Sequence, residues 1–344
     1  MPSRHALFLW AAVGGQAVAA ADLPASATAA ASAASAASAA SAASAAEGAP
    51  AFRLVTLDSN GSTKVIGGTP VRPADWPALV TAQVGMQVVS GQPTPVHCSG
   101  TLVGPGVLLT AAHCFDPGDL TAFRTTASIK VSAGPAVLLT CTLSPEYTAS
   151  PSFSRMPRVA QDYALCSFRP PEGVRLPASE TVDATPLAPR DHVLMSGWGC
   201  RTLSRIGGEW IFVAPGPGDL APSVADATIE AIPADGTLAQ GFASILSDLA
   251  QKDHPALCKG DSGGPLFSGA SVARQKDPRR VRAVNSRVAS ADGSDTLIRS
   301  SVAPLSTPAF QAFARKWLGD HPDARICGID GFDARHAPAG ECRA

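Results

Sequence analysis

The sequence predicts an all-β body, and three observations predict it. After Lys64 the chain runs in short apolar stretches, among them Ala78-Leu79-Val80, Gly106-Val107-Leu108-Leu109, Val193-Leu194-Met195 and Val281 to Val284. Gly and Pro punctuate these stretches, as turns between strands require. Strands and long helices do not alternate along the chain, so a sandwich or barrel is expected and a parallel sheet is not.

Taken in order, the 344 residues begin with a leader. Arg4 precedes the apolar run Ala6 to Val13, and Ala17-Val18-Ala19 offers small residues for cleavage. Residues 1–21 therefore read as a signal peptide, too short to span a bilayer, and they place the mature chain outside the cytosol, secreted or periplasmic. Residues 22–64 read as linker and propeptide. Ala25 to Ala46 holds only Ala, Ser and Thr, with serine stepping by three from Ser32 to Ser44. That step winds around a helix and leaves no apolar stripe to bury, which predicts a solvated linker.

Residues 65–318 carry the strands. The chain then turns helical once: Thr307 can cap, Pro308 suits the first turn, and Phe310, Phe313, Ala314, Trp317 and Leu318 follow the helical stripe before Gly319. This helix is expected to pack on the barrels. Residues 319–344 form a polar tail holding Cys327 and Cys342, too short for a core and expected to be closed by its own bridge.

Composition narrows the partners. Charged residues make up 16% of the chain and the formal net charge is −1, so neither nucleic acid nor an anionic membrane surface is indicated. The eight cysteines are even in number, which in an exported chain implies disulfides. Paired CxxC or HxxxH spacing is missing, so no metal and no cofactor is expected.

The string carrying the most chemistry is Cys258-Lys259-Gly260-Asp261-Ser262-Gly263-Gly264-Pro265-Leu266, a serine on a glycine-rich turn. A serine there becomes a nucleophile only with a base and an orienting acid nearby. Upstream, an apolar strand ends in Thr110-Ala111-Ala112-His113-Cys114. The motifs TAAHC and GDSGGP together resemble the chymotrypsin-like (trypsin superfamily) serine proteases, in their secreted bacterial form. Val65-Ile66-Gly67-Gly68, Asp162-Tyr163-Ala164-Leu165 and Gly197-Trp198-Gly199 extend the likeness in family order, over roughly Val65 to Leu318.

The resemblance implies two antiparallel six-stranded Greek-key barrels, about 65–180 and 181–318, with the crossover near Pro177 to Arg190 and the active site between them. It implies a serine endopeptidase in which His113, Asp162 and Ser262 form the catalytic triad, and Gly260 and Ser262 supply oxyanion N–H groups. It further implies a zymogen, cut after Lys64 by an activating protease, whose new Val65 ammonium pairs with Asp261. Protein or peptide substrates are the partners, and a monomer without a membrane span is expected once the leader is gone.

The same resemblance assigns the cysteines. Cys98 to Cys114 matches a bridge common in relatives, and Cys141 and Cys166 are expected on neighbouring strands. Relatives bridge the cysteine four before the nucleophile to one shortly downstream, which this chain lacks, so Cys200 is expected to pair with Cys258 instead. Ala256 stands where trypsin-type members carry Asp at the pocket base, so cleavage after Lys or Arg is disfavoured and a small or medium apolar side chain is expected. Val284, Asn285 and Ser286 resemble the strand that binds extended substrate backbone. Arg287 replaces the customary aromatic residue there, and with Lys259 it lies near the expected entrance; Asp292 or Asp295 is the candidate acid for the other wall.

Two other classes compete. Gly260 to Gly264 also fits the G-x-S-x-G elbow of α/β-hydrolase esterases, with Asp295 and His321 following in chain order, but Pro265 to Gly269 reads as a strand and turn where an elbow needs a helix. A catalytically impaired binding protein on a protease fold is the second alternative.

Overall fold

The computed structural model describes residues 53–56, 65–89, 92–115, 126–130, 136–148, 160–200, 202–206, 209–214, 221–232, 241–251, 254–291, 293, 296–338 and 340–343. The leader, the Ala/Ser run, Lys64, Asp292 and Asp295 lie outside these residues.

Six strands close the first barrel: β1 (Leu79–Val89), β2 (Gln92–Gly104), β3 (Val107–Thr110), β4 (Thr126–Lys130), β5 (Ala136–Leu143) and β6 (Ala164–Ser167). They run in the spatial order β1-β2-β3-β6-β5-β4, and β4 pairs back onto β1. Strand β5 shows how sequence builds the wall. Its residues alternate between exposed and buried, turning Val137, Leu139, Cys141 and Leu143 inward, because successive side chains of a strand point to opposite faces.

Six more strands make the second unit: β7 (His192–Gly197), β8 (Ser223–Thr228), β9 (Ala243–Asp248), β10 (Pro265–Ser268), β11 (Arg280–Ser290) and β12 (Leu297–Pro304). They form an antiparallel sheet in the order β9-β12-β11-β10-β7-β8. Its outer strands, β9 and β8, do not pair as a ladder. Among the described residues, the bridge Ala231↔Ser244 joins the chain beyond β8 to β9.

The segment after Lys64 belongs to this second sheet. Thr69–Pro70 pairs with the start of β8, and Val65 is buried among Val193, Met195, Ala225 and Leu266. The crossover likewise contributes, since Thr181–Val182 pairs in parallel with the start of β11. Arg53–Thr56, within the region read as propeptide, forms a parallel strand on Glu209–Ala214, itself hairpinned to Thr202–Ile206.

The C-terminal helix spans Pro308–Asp320, and the Thr307 hydroxyl accepts from the Phe310 N–H as its cap. It runs one residue beyond Gly319. The stop comes from His321, which precedes Pro322 and leaves helical dihedrals while its ring nitrogen bonds the Trp317 carbonyl. The helix docks on the first barrel, with Phe310 edge-on to Tyr163 at 5.1 Å, next to Asp162.

The tail departs from the reading of a polar appendage. Ile326, Cys327 and Ile329 are buried, the Cys327 N–H donates to Val103 of β2, and the Val182 N–H donates to the Cys327 carbonyl. Cys342 bridges Ser179, and Arg343 reaches the buried Glu180–Arg279 ion pair. The tail thereby ties the crossover to the first barrel.

Candidate active site

Strand β3 delivers His113. It is buried along its length, ends at Thr110, and gives way to a single 3-10 turn over Ala112–Phe115. The Cys98–Cys114 disulfide pins this turn to β2. Ala111 and Ala112 are fully buried, so their small side chains let the turn press against the barrel.

Asp162 precedes β6 and is fully buried. One carboxylate oxygen accepts from the His113 backbone N–H at 2.9 Å, and the other faces the His113 Nδ1 at 2.8 Å. A carboxylate only accepts, so Nδ1 carries the proton and Nε2 is the basic nitrogen. Ser286 adds a second donor to that oxygen, its hydroxyl lying at 2.5 Å. Burial alone would raise the Asp162 carboxyl; the His113 ring, the Ser286 hydroxyl and the His113 N–H outweigh it and hold the carboxyl below its ordinary value.

Ser286 reaches Asp162 because β11 bulges there. Asn285 opposes Val302 and Arg287 opposes Ser301, which leaves Ser286 as the extra residue and re-aims its side chain.

Ser262 sits on a tight turn just before β10. Its carbonyl accepts from the Ser99 N–H at 2.7 Å, and the Gly263 N–H donates to Asn285 at 2.8 Å. Gly263 has φ +82°, and a Cβ there would stand 2.1 Å from Thr110 Oγ1 and 2.9 Å from Ala111 N. The turn that carries Ser262 in the second unit is therefore packed directly on the strand end that leads to His113 in the first barrel. Glycine alone satisfies both the dihedral and the space.

Asp261 lies beside it, fully buried, with one carboxylate oxygen accepting from Gly199 N–H at 2.7 Å and the other from Cys258 N–H at 2.8 Å. Gly197 and Gly199 are glycine for this reason, since a Cβ on either would fall within 2.5 Å of that carboxylate. The Cys200–Cys258 disulfide joins the Gly-Trp-Gly loop to the segment leading to Ser262, and Cys141 faces Cys166 in register across β5 and β6. Cys327–Cys342 closes the tail, so all four expected pairings are present.

The residues read for substrate divide into two groups. Ala256 is buried beside the Cys200–Cys258 bridge and Ile298, and it exchanges two backbone hydrogen bonds with Ile66. Val284 and Asn285 are buried, their backbones paired with β10 and β12, and the Asn285 side chain donates to the Ser196 carbonyl. Lys259 is exposed beside the turn, and the half-buried Arg287 lays its guanidinium 4.8 Å from the Phe242 ring centroid. Phe242 carried no signal in the sequence. Among the described residues no three His, Cys, Asp or Glu side chains cluster as a metal site, and no helix is long and apolar enough to cross a membrane.

Against this geometry, the trypsin family model matches residues 65–288. The chain belongs to the trypsin family. Human granzyme M (Homo sapiens) is 27% identical over 228 residues, covering 64% of this chain and 79% of the relative. Chymotrypsin-like elastase family member 1 of the dog (Canis lupus familiaris) and of the cat (Felis catus) are each 38% identical over 55 residues, 16% of this chain and about a fifth of theirs. This trypsin-family chain is accordingly a serine endopeptidase by family, with the chymotrypsin-like two-barrel fold. An esterase elbow is disfavoured by the same fold, because Ser262 leads into strand β10 and every strand pair within the two six-stranded units is antiparallel.

Proposed function

We propose that the chain is exported, held as a zymogen, and converted by cleavage after Lys64 into an endopeptidase working through Ser262, His113 and Asp162. The observation that supports this reading is the close approach of Gly263, the residue after Ser262, to Thr110 and Ala111, at the strand end leading to the His113 that faces Asp162.

The Ser262 hydroxyl attacks the peptide carbonyl while His113 Nε2 takes its proton. The carbonyl π pair moves onto oxygen, where the Gly260 and Ser262 N–H groups stabilise it. Collapse expels the amine, which receives the proton from His113 and leaves an acyl-serine; water then repeats the sequence and restores the hydroxyl. Asp162, held anionic, keeps the imidazole in the useful tautomer and stabilises it when charged. This retained constellation speaks against a non-enzymatic binding role.

Activation is supported by strain at the cut. Val65 has φ +59° while its nitrogen is still acylated by Lys64, and a β-branched residue is a genuine outlier there. Cleavage removes the φ constraint and supplies an ammonium for Asp261. Ala256, without charge at the pocket base, favours small or medium apolar side chains before the cut bond, while Lys259 and Arg287 stand as cations along the cleft rim.

The test is a peptide library digested by protein cut after Lys64, with the new termini read by mass spectrometry. Cleavage products absent with Ser262→Ala support the reading. Equal cleavage by the Ser262→Ala variant would overturn it.

A further inference from the structure

Ser99 is fully buried in β2, one residue past Cys98, and it spans the junction between the barrels with three hydrogen bonds and is tied within its own barrel by a fourth. Its hydroxyl donates to the Gly260 carbonyl at 2.7 Å and accepts from the Trp198 N–H at 2.9 Å. Its backbone N–H donates to the Ser262 carbonyl at 2.7 Å, and its own carbonyl accepts from the Thr110 hydroxyl at 2.8 Å. A single side chain and its backbone thus touch both residues whose N–H groups are assigned to the oxyanion.

The direction of the Gly260 N–H is set by the carbonyls around it. A trans peptide is planar, so its C=O and N–H point opposite ways. The Cys200 N–H holds the Lys259 carbonyl at 2.8 Å and thereby aims the Gly260 N–H away from Cys200. The next carbonyl, that of Gly260, is held by Ser99. Gly260 has φ +101° and no Cβ, so nothing intrinsic to the residue prevents this segment from turning over. External anchors must do so.

We propose that Ser99 is a positioning residue for the oxyanion site, its hydroxyl fixing the Gly260–Asp261 peptide so that the preceding N–H is preset before substrate arrives. The proposal rests on the reading of Gly260 and Ser262 as oxyanion donors. Ser99 acts through Gly260 and does not touch the reacting atoms.

The experiment compares Ser99→Ala, Ser99→Gly and Ser99→Thr with the parent chain, each cut after Lys64 and normalised to folded protein. Turnover of a peptide amide is measured beside inhibition by a trifluoromethyl ketone of the same peptide. The Ser262 oxygen adds to that ketone, its proton passes to His113, and the ketone oxygen becomes an oxyanion. Loss of a whole oxyanion donor lowers kcat by about 10²–10³, so a loosened donor is expected to lower it about tenfold. The hydroxyl-free variants should lose that factor in kcat with KM unchanged, lose the same factor in ketone affinity, and recover in Ser99→Thr.

Parent-like kcat in Ser99→Ala and Ser99→Gly overturns the proposal, as does a loss confined to KM or one that leaves ketone affinity intact. Failure of both to fold assigns Ser99 a purely structural role and also overturns it. A parent chain indifferent to Ser262→Ala sinks the underlying assignment instead.

Discussion

The Ser286 hydroxyl donates to the Asp162 carboxylate at 2.5 Å, linking a bulge of the second sheet to the buried acid of the first barrel. Removing it in Ser286→Ala should cost about 1.5–3 kcal/mol, the range for a hydrogen bond to a charged group. The sign with pH follows from Asp162. Its carboxyl is depressed in the fold, so the stability it contributes is present above its unfolded value, about 3.9, and is lost as pH falls through the folded value. Ser286→Ala raises the folded value, so acid unfolding followed by circular dichroism should begin at higher pH than in the parent.

Asp162→Asn should lower kcat by about 10⁴-fold with little change in KM, because the amide stabilises the wrong imidazole tautomer and cannot balance the imidazolium. Steady-state kinetics on protein cut after Lys64 checks this. A loss falling mainly on KM would place Asp162 in substrate binding.

Gly263→Ala brings a methyl to 2.1 Å from Thr110 Oγ1 and 2.3 Å from the Ser99 carbonyl, at a backbone φ of +82°. The dihedral alone costs about 1–3 kcal/mol, and relief of the clash must push the nucleophile turn off the strand end. Both Tm and the rate of active-serine labelling should fall. Parent-like labelling would mean that the two barrels do not meet there.

Lys64→Gln should withstand an activating protease that cuts after basic residues and stay inactive, while the parent gains activity as its mass drops to that of a chain starting at Val65. Activity in a chain with an intact Lys64–Val65 bond would contradict the activation scheme.

A peptide-library profile should place small or medium apolar residues before the cut bond, since Ala256 is buried among Cys200, Cys258 and Ile298 without a carboxylate. A profile dominated by Lys and Arg would show that an acid reaches the pocket from elsewhere.

The strings around His113, Asp162 and Ser262 stood out through their resemblance to the family, and the fold adds the His113–Asp162 contact that the strings alone do not show. The Cys200–Cys258 pairing was expected from the resemblance, because this chain lacks the downstream cysteine that relatives pair with the one at Cys258. Features that depend on distant backbone were not legible. Ser99 looks like any strand serine until Gly260 and Trp198 fold over it. Ser286 was read as a substrate strand residue because a bulge leaves no mark in composition. The tail reads as polar, yet its buried residues and its backbone bonds to Val103, Ser179 and Val182 build it into the core. Gly319 suggested the helix end, but Pro322 sets it by excluding helical dihedrals at His321.

The most direct test treats the chain cut after Lys64 with a fluorophosphonate and maps the adduct by peptide mass spectrometry. One adduct on Ser262, lost in His113→Ala while that variant stays folded, is the predicted result. An adduct on another serine, none on folded cut protein, or equal labelling in His113→Ala would contradict the account.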